Sequence, residues 1–200
     1  KTLPKEVYGI VATALNIIII LSGVALLGLQ MAIVKLISEF KEKNQTGKIK
    51  SLVRFTIKVS FSVSLAFSVT IGLLSPVLSP ILNLPVDVIV LAAVGIFVFS
   101  VWGVTNAVMY GFQSMKRIMK TNFAGNAVKV VSSLALILLG FSYLGPLVGL
   151  ILSVITIILF RLDILWLAVG KAGDYKSSKL NFKSIFTYST SAFVAAMAMA

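Results

Sequence analysis

Long runs of apolar residues, separated by short polar segments, dominate the chain. Residues 7–34, 59–86 and 88–115 contain no charged residue, and each run exceeds the roughly 20 residues that cross a hydrocarbon core. Residues 121–160 carry one charge and are too long for a single span, so the Gly- and Pro-containing stretch 140–146 is predicted to divide them. Because the runs are continuously apolar rather than alternating, they predict transmembrane helices and not barrel strands.

The predicted fold class is all-α, a polytopic integral membrane helical bundle. An N-terminal transmembrane bundle is assigned to residues 1–170, a basic cytoplasmic loop to residues 171–183, and the start of a further, truncated helix to residues 184–200. Because the chain begins at Lys1 and its last apolar run is short of a full span, we expect a longer parent protein. The five predicted helices cover approximately residues 7–36, 55–82, 88–114, 119–140 and 146–169.

The composition requires lipid as the solvent. Hydrophobic residues make up 58% of the chain and charged residues 12%, whereas about a quarter of the residues in soluble domains are charged. Cysteine and histidine are both absent, which excludes disulfides, thiolate metal sites and the commonest proton shuttle. We therefore expect no metal and no cofactor. The apolar runs also contain no paired carboxylates, phosphate-binding loop or nucleophile elbow, so no enzymatic activity is predicted.

The net charge of +12 is concentrated in three loops. The turns near residues 83–87 and 140–146 contain no basic residue, so every second loop is basic. The positive-inside rule places those basic loops in the cytoplasm of a multi-pass cell-membrane protein, which explains the charge without nucleic-acid binding. Arg161 and Asp163 are expected to snorkel to the membrane interface. The basic loops are residues 41–58, 116–120 and 161–183.

Two prolines interrupt the outer end of the second apolar run. Pro76 and Pro80 each lack a backbone N–H and clash with the preceding helical turn, so a helix end or a kink is expected there. A simple stop before Asn83 and a bend that shapes an outward gate both fit the sequence.

One charge lies deep within a predicted span. Lys129 is about two to three helical turns beyond Lys120, and a charge at that depth usually faces protein or water. Its helical face is predicted to line a cavity open to the cytoplasm, or to meet a polar stripe on a neighbouring helix. The alternative is that Lys129 snorkels to the headgroups and binds no ligand. The polar residues at helical spacing on this face are Asn122, Asn126, Lys129 and Ser133.

A second polar stripe is predicted on the preceding helix, where Asn106 lies deepest. Asn106 could contact a substrate or simply form an interhelical hydrogen bond. Asn16, together with Thr13, makes a weaker patch in the first span. The second stripe consists of Trp102, Asn106, Tyr110 and Gln113. The candidate substrate-binding residues are Lys129, Asn126, Asn122, Asn106, Gln113 and Asn16.

Two stretches carry motifs of a known family. Residues 3–9 read LPKEVYG and residues 28–40 read GLQMAIVKLISEF. These resemble the L-x-P-E-x-Y/F-G turn and the G-L-x-x-A-x-x-R/K-x-I-x-E stretch that open and end the second helix of polysaccharide flippases. Residues 108–117 read VMYGFQSMKR and residues 126–131 read NAVKVV. With Gly140, Gly145 and Gly149 they are similar to the family's fourth to sixth helices, where a G-x-x-Q-A-x-x-R stretch enters a cytoplasmic loop.

This resemblance implies the multidrug/oligosaccharidyl-lipid/polysaccharide (MOP) exporter superfamily. The chain would be the N-terminal half of a two-bundle transporter, comprising helices two through six and the start of the seventh. The implied substrate is a polyprenyl-(pyro)phosphate-linked oligosaccharide, flipped by alternating access for cell-surface polysaccharide or glycan assembly. Membrane lipids and glycan-assembly membrane enzymes are the implied partners. Lys35 stands where the family more often has Arg, which keeps the charge but loses the bidentate fork.

A basic cavity suits that substrate, because a lipid phosphate crossing hydrocarbon needs a fixed cation. Lys129 supplies the cation, and amides such as Asn106 and Asn126 can hydrogen-bond to sugar hydroxyls. A cation-coupled multidrug exporter of the same superfamily would need acidic groups that the spans lack. A non-transporting membrane scaffold would use the polar stripes only for helix packing. A membrane glycosyltransferase would need acidic residues in an interfacial loop, and these loops are basic.

Overall fold

The structure is a computed structural model that describes residues 5–26 and 29–164. It is helical with no strand in these ranges, which confirms the all-α prediction. The predicted basic loop 171–183, the helix from residue 184 and the end of the fifth predicted helix lie outside the described residues. The described helices are α1 (Lys5–Leu26), α2 (Leu29–Glu42), α3 (Thr46–Leu73), α4 (Ser75–Leu82), α5 (Val86–Gly111), α6 (Met115–Leu138) and α7 (Leu144–Leu159).

Four of these helices are long and apolar enough to cross a membrane. They are α3, α5, α6 and the Val7–Leu26 part of α1. The apolar helix α7 has 16 residues, about 24 Å at the helical rise of roughly 1.5 Å per residue. In hydrocarbon only helices and closed barrels satisfy the backbone N–H and C=O groups, so these segments span as helices. The chain is a multi-pass membrane protein.

Helix boundaries differ most from the predicted ones around the first polar loop. The helix α3 begins at Thr46 rather than at residue 55, so it includes basic residues such as Lys48 and Arg54. The turn before it contains only residues 43–45, with Asn44 in the left-handed region at a φ of 53°. Charged residues mark where the hydrocarbon ends, and a helix can continue beyond that point into water.

The two prolines separate a short helix from α3. The helix α3 ends at Leu73, and α4 follows after Leu74. Pro76 occupies the first turn of α4, where the missing N–H costs no helical hydrogen bond, while Pro80 lies inside the helix. Asn83 ends α4 with a left-handed φ of 52° and donates its N–H to the carbonyl of Ser79. The interruption therefore lies at Leu74, nine residues before the turn at Asn83 that the sequence indicates.

Hydrogen bonds near the helix ends identify the two ends of the bundle. At one end, Lys41 Nζ donates to the Phe112 carbonyl at 3.0 Å, which joins the end of α2 to the turn before α6. At the other end, Tyr143 Oη donates to Asp87 Oδ2 at 3.2 Å, which joins the start of α5 to the turn before α7. We refer to the first as the basic end and to the second as the distal end.

The central element is α5. It packs on α1, α2, α3, α4 and α7, and 61% of its most apolar stretch is buried, compared with 11% for α6. A buried cluster near the basic end includes Ile37, Leu52 and Val108, and another near the distal end includes Ala14 and Leu147. Most of the α6 surface therefore lies outside the core that the described helices form.

The helices α6 and α7 make the most extensive helix–helix contact in the described structure. A Cβ atom built on Gly149 would lie 3.0 Å from Ser133 N and 3.1 Å from the Lys129 carbonyl oxygen. A Cβ atom on Gly125 would lie 2.5 Å from Ile157 Cγ1. Small residues allow helix backbones in membranes to approach this closely, and here they join α6 to α7.

Replacing Gly149 by alanine is expected to destabilise the protein by about 1–3 kcal/mol, because the added methyl group meets the backbone of α6. Thermal unfolding in a mild detergent measures the effect. Gly23→Ala is the matched control, since a Cβ atom at Gly23 has no atom within 4 Å. Equal melting temperatures for the two variants would contradict the close contact of α6 with α7.

Candidate functional site

Lys129 lies at the edge of the α6 face that packs on α7: its carbonyl oxygen faces Gly149, while its side chain is left uncovered by the other described helices. Its side chain is exposed, as is that of Asn126. Lys129 lies about 13 Å further along α6 than Lys120, which places it near the middle of a hydrocarbon core roughly 30 Å thick. A cation at this depth is costly unless protein or water meets it. The uncovered side chain is therefore compatible with the predicted cavity.

The predicted stripe on α6 is divided between two environments. Asn122 is half-buried and accepts a hydrogen bond from Arg161 at 3.1 Å. Ser133 is half-buried beside Gly149, and its Oγ atom has no hydrogen-bond partner in the described part of the chain. Asn126 and the Lys129 side chain remain exposed. The division arises because α7 packs on α6 close to this stripe and covers one edge of it.

The stripe on α5 is brought into contact with a charged residue. The half-buried Asn106 accepts a hydrogen bond from Arg161 Nη1, so the interhelical interaction that the sequence leaves open is present. Trp102, one turn deeper, packs edge-on against Phe99 with 5.7 Å between ring centroids. Tyr110 is exposed. Of this stripe, Asn106 is the residue that joins the polar cluster.

Gln113 does not share the helical face on which the sequence places it. The helix α5 ends at Gly111, and Gln113 lies in the turn before α6 with a left-handed φ of 57°. Its N–H donates to the Tyr110 carbonyl at 2.9 Å, which closes that turn. Gln113 therefore does not lie on the same helical face as Tyr110, because the helix ends between them.

Asn16 stays apart from the other candidates. It is exposed on α1, one turn from Thr13, whose hydroxyl donates to the Gly9 carbonyl at 2.9 Å. The helix α1 packs mainly on α5, whereas Asn122, Asn126 and Lys129 are on α6. The structure therefore shows no contact that brings Asn16 to the α6 stripe among the described residues.

The main polar cluster is built around Arg161, which is fully buried, at 0% exposure, just after α7. Its Nε and Nη2 atoms donate to Thr121 Oγ1 at 3.0 Å and 2.7 Å, and Nη2 also donates to Asn122 Oδ1 at 3.1 Å. Nη1 donates to Asn106 Oδ1. The guanidinium thus joins α5, α6 and the end of α7 at the basic end. The expectation that Arg161 snorkels to the interface is wrong.

The acceptors that hold Arg161 are neutral. The neighbouring carboxylate, Asp163, pairs with Arg117 instead, with distances of 2.6 Å and 2.5 Å between the two Nη atoms and the carboxylate oxygens. Arg117 also donates to the Phe160 carbonyl at 3.2 Å. Burying a cation costs several kcal/mol unless its hydrogen bonds are satisfied. The three neutral side chains therefore offset that cost, and the net positive charge of the cluster is retained.

Sequence reasoning missed this role of Arg161. An arginine at the end of an apolar run normally reaches water, and the local pattern around residue 161 gives no contrary signal. One available signal was the presence of polar residues near the basic end of two other helices, Asn106 and Asn122. Their register relative to Arg161 depends on how α6 and α7 are packed, and the sequence does not specify it.

A smaller polar contact lies at the distal end. Asp87 raises the pKa of the Tyr143 phenol above its usual value near 10, because its carboxylate accepts the phenolic hydrogen bond and its negative charge repels a phenolate. Tyr143 is therefore protonated at neutral pH and can donate its hydrogen bond to Asp87, which joins the start of α5 to the turn before α7.

The arrangement can attract anions but offers little acid–base chemistry. Within residues 5–26 and 29–164, no group of three or more His, Cys, Asp or Glu residues could hold a metal ion. Besides the Arg117–Asp163 pair, the charged groups at the site are the buried Arg161 and the exposed Lys129. Asn122 contacts the first and lies about 10 Å along α6 from the second. The site therefore combines two cations with amide side chains on α6.

The Arg161 cluster is expected to determine the stability of the basic end. Arg161→Lys keeps the charge but cannot reach all three acceptors, and unsatisfied buried polar groups cost about 1–3 kcal/mol. We expect a clear fall in melting temperature in detergent. Arg117→Lys is the control, because that ion pair is exposed and such pairs contribute about 0–1 kcal/mol. A melting temperature for Arg161→Lys equal to that of the wild type would show that the cluster does not hold the helices.

Comparison with known proteins gives one family match. A family model described as "Polysaccharide biosynthesis protein" matches residues 1–199 of the chain. No curated protein and no solved structure matches it. The match includes all seven described helices, and with them both Lys129 and the Arg161 cluster.

Proposed function

The chain belongs to the polysaccharide biosynthesis protein family, whose members are membrane transporters of the MOP superfamily, and from this membership we propose that it flips a lipid-linked oligosaccharide. The substrate would carry a polyprenyl phosphate or pyrophosphate. Alternating access of a central cavity would move it across the cell membrane. The polar residues of α6 would form part of the cavity wall.

The observation that carries this proposal is the position of Lys129. It is a cation with an exposed side chain near the middle of a spanning helix, at the edge of the contact between α6 and α7. A lipid phosphate that crosses the hydrocarbon core needs a compensating charge, since an unpaired ion there is strongly disfavoured. Lys129 is placed to provide that charge, and the exposed Asn126 one turn away can hydrogen-bond to sugar hydroxyls.

The positive charge of the Arg161 cluster also favours an anionic substrate. Its uncompensated cation lies near the basic end, where a substrate from the cytoplasm would enter, and Asn122 lies between this cation and Lys129. An anionic headgroup would therefore meet positive potential at the entrance and again at mid-membrane. Arg161 itself is buried, so we assign it the role of positioning Asn106 and Asn122, and we assign Lys129 the contact with phosphate.

A cation-coupled multidrug exporter fits the described spans less well. Carboxylates that attract protons, Na⁺ or cationic drugs would be needed deep in the membrane. The acidic side chains whose positions are described lie at helix ends or in the adjoining segments: Glu39, Glu42, Asp87 and Asp163. A non-transporting scaffold remains the alternative in which Lys129 serves no ligand, and the experiment on Lys129 distinguishes it.

Substrate contact through Lys129 can be measured by native mass spectrometry of the full-length protein in mild detergent. We expect a bound polyprenyl-phosphate glycolipid whose affinity falls roughly tenfold or more in Lys129→Ala, because a charge-assisted hydrogen bond is lost. Lys129→Arg should retain the lipid.

Lys120→Ala is the matched control, an exposed lysine near the basic end of the same helix. If Lys129→Ala and Lys120→Ala retain equal amounts of glycolipid, Lys129 does not bind the phosphate. If no glycolipid is bound by any form of the protein, the scaffold function is favoured.

The proposed orientation places the basic end in the cytoplasm. This chain contains no cysteine. In the full-length protein, with any cysteine outside this chain replaced by serine, single cysteines can therefore be introduced in the exposed turns, as Lys43→Cys at the basic end and Ser142→Cys at the distal end. A membrane-impermeant maleimide should label Ser142→Cys on intact cells and Lys43→Cys only after permeabilisation. The reverse labelling pattern would overturn the orientation.

A further inference from the structure

An apolar groove lies between α3, α5 and α7, away from the exposed face of α6. Its volume is about 380 Å³. Its walls include Ile57 and Phe61 of α3, Val101 of α5 and Leu159 of α7. Phe61 and Leu159 are 48% and 56% exposed, so the groove opens at the surface of the described bundle. Its apolar walls match a hydrocarbon chain.

One wall of the groove carries a buried hydroxyl without a partner. Ser60 lines the groove and is 2% exposed, and its Oγ atom has no hydrogen-bond partner in the described part of the chain. By contrast, Thr56 and Thr70 of the same helix donate to carbonyl oxygens one turn earlier, at 2.9 Å and 2.8 Å. An unsatisfied buried hydroxyl is unfavourable, so an acceptor supplied by a ligand in the groove would stabilise it.

Positive charge is found at only one end of this groove. Lys58 is exposed and lies one helical turn before Phe61, toward the basic end. Just after α7, Arg161 follows the groove residue Leu159 by two positions, and the side chains that accept its hydrogen bonds are neutral. The residues that line the groove carry no charge. This distribution matches an anionic lipid with its headgroup at the basic end and its chain in the groove.

We propose that the groove binds one acyl chain of an anionic glycerophospholipid from the membrane leaflet at the basic end. The phosphate would face Lys58, and an oxygen of the glycerol linkage would accept the hydrogen bond of Ser60 Oγ. Ser60 lies about 3 Å deeper along α3 than Lys58 but about 200° around the helix. The long Lys58 side chain would therefore reach over Phe61 to the phosphate, while Ser60 Oγ meets the glycerol linkage just below it. An isoprenoid chain has no oxygen below its phosphate and would leave Ser60 unsatisfied.

Tryptophan fluorescence can report occupancy of the groove. Trp102 packs against the buried cluster that contains Val98, and Val98 lines the groove. The full-length protein would carry Phe in place of every other tryptophan, Trp166 included, and would be reconstituted in phosphatidylcholine vesicles. Phosphatidylglycerol or phosphatidylcholine with brominated acyl chains would be added at the same low mole fraction. We expect roughly fivefold preferential quenching by the anionic lipid, the factor that one lysine near a lipid surface supplies.

Two variants test the individual contacts. Lys58→Gln should abolish the preference for phosphatidylglycerol. Ser60→Ala, a small change of shape, should reduce quenching by both brominated lipids, because both carry the glycerol linkage. Lys120→Gln is the matched control, because it removes an exposed lysine from α6, which does not line the groove. Loss of preference in Lys58→Gln with retention in Lys120→Gln would support the site.

Three results would overturn the proposal. Equal quenching by the two brominated lipids in the unsubstituted protein would mean that only bulk lipid contacts the groove. A preference that persists in Lys58→Gln would mean that Lys58 makes no contact with the phosphate, and unchanged quenching by both lipids in Ser60→Ala would mean that Ser60 makes no contact with the glycerol linkage. Relief of quenching by unbrominated polyprenyl phosphate, but not by unbrominated phosphatidylglycerol, would identify an isoprenoid chain as the occupant. None of these results depends on Lys129.

Discussion

The buried guanidinium of Arg161 is the interaction on which the arrangement of the basic end depends. A cation at 0% exposure is tolerated only where its donors are satisfied, and here the acceptors come from Asn106 on α5 and from Thr121 and Asn122 on α6. At the basic end, the α6–α7 hairpin is therefore held against the central helix in one register. A shift of α6 by one residue would move both of its acceptors away from Arg161.

The same packing explains why Lys129 is left exposed. The helix α6 uses the face that carries Gly125 and Ser133 to contact α7, and it makes few other contacts within the described residues. Lys129 lies at the edge of this contact, with its carbonyl oxygen toward Gly149 and its side chain exposed. The two cations thus differ in their surroundings. Arg161 is buried and donates its hydrogen bonds to neutral side chains, whereas the Lys129 side chain is exposed beside α6. This difference is the basis for assigning only Lys129 a direct contact with substrate.

The two surfaces described for ligands are separate in both position and chemistry. The α6 face combines a deep cation with an exposed amide, which suits a charged and hydroxylated headgroup. The groove between α3, α5 and α7 is apolar with one hydroxyl and has positive charge only at its basic end, which suits a lipid that stays in its own leaflet. A transporter embedded in a bilayer would require both kinds of surface, one for cargo and one for the surrounding lipid.

The sequence by itself determined the class of fold and the polarity of its ends. Uncharged runs longer than a bilayer core require helices, because no other single-segment structure satisfies the backbone in hydrocarbon, and the alternation of basic and non-basic turns reappears as the basic and distal ends. Only the tertiary structure decided which polar side chains meet. Helical periodicity predicts which residues of one helix share a face, as for Asn122, Asn126 and Lys129. It does not specify which helix covers that face, in what register, or where the helix ends. For that reason the sequence predicts an interfacial Arg161, a helical Gln113 and a helix that begins near residue 55. In the structure Arg161 is buried, α5 ends at Gly111 and α3 begins at Thr46.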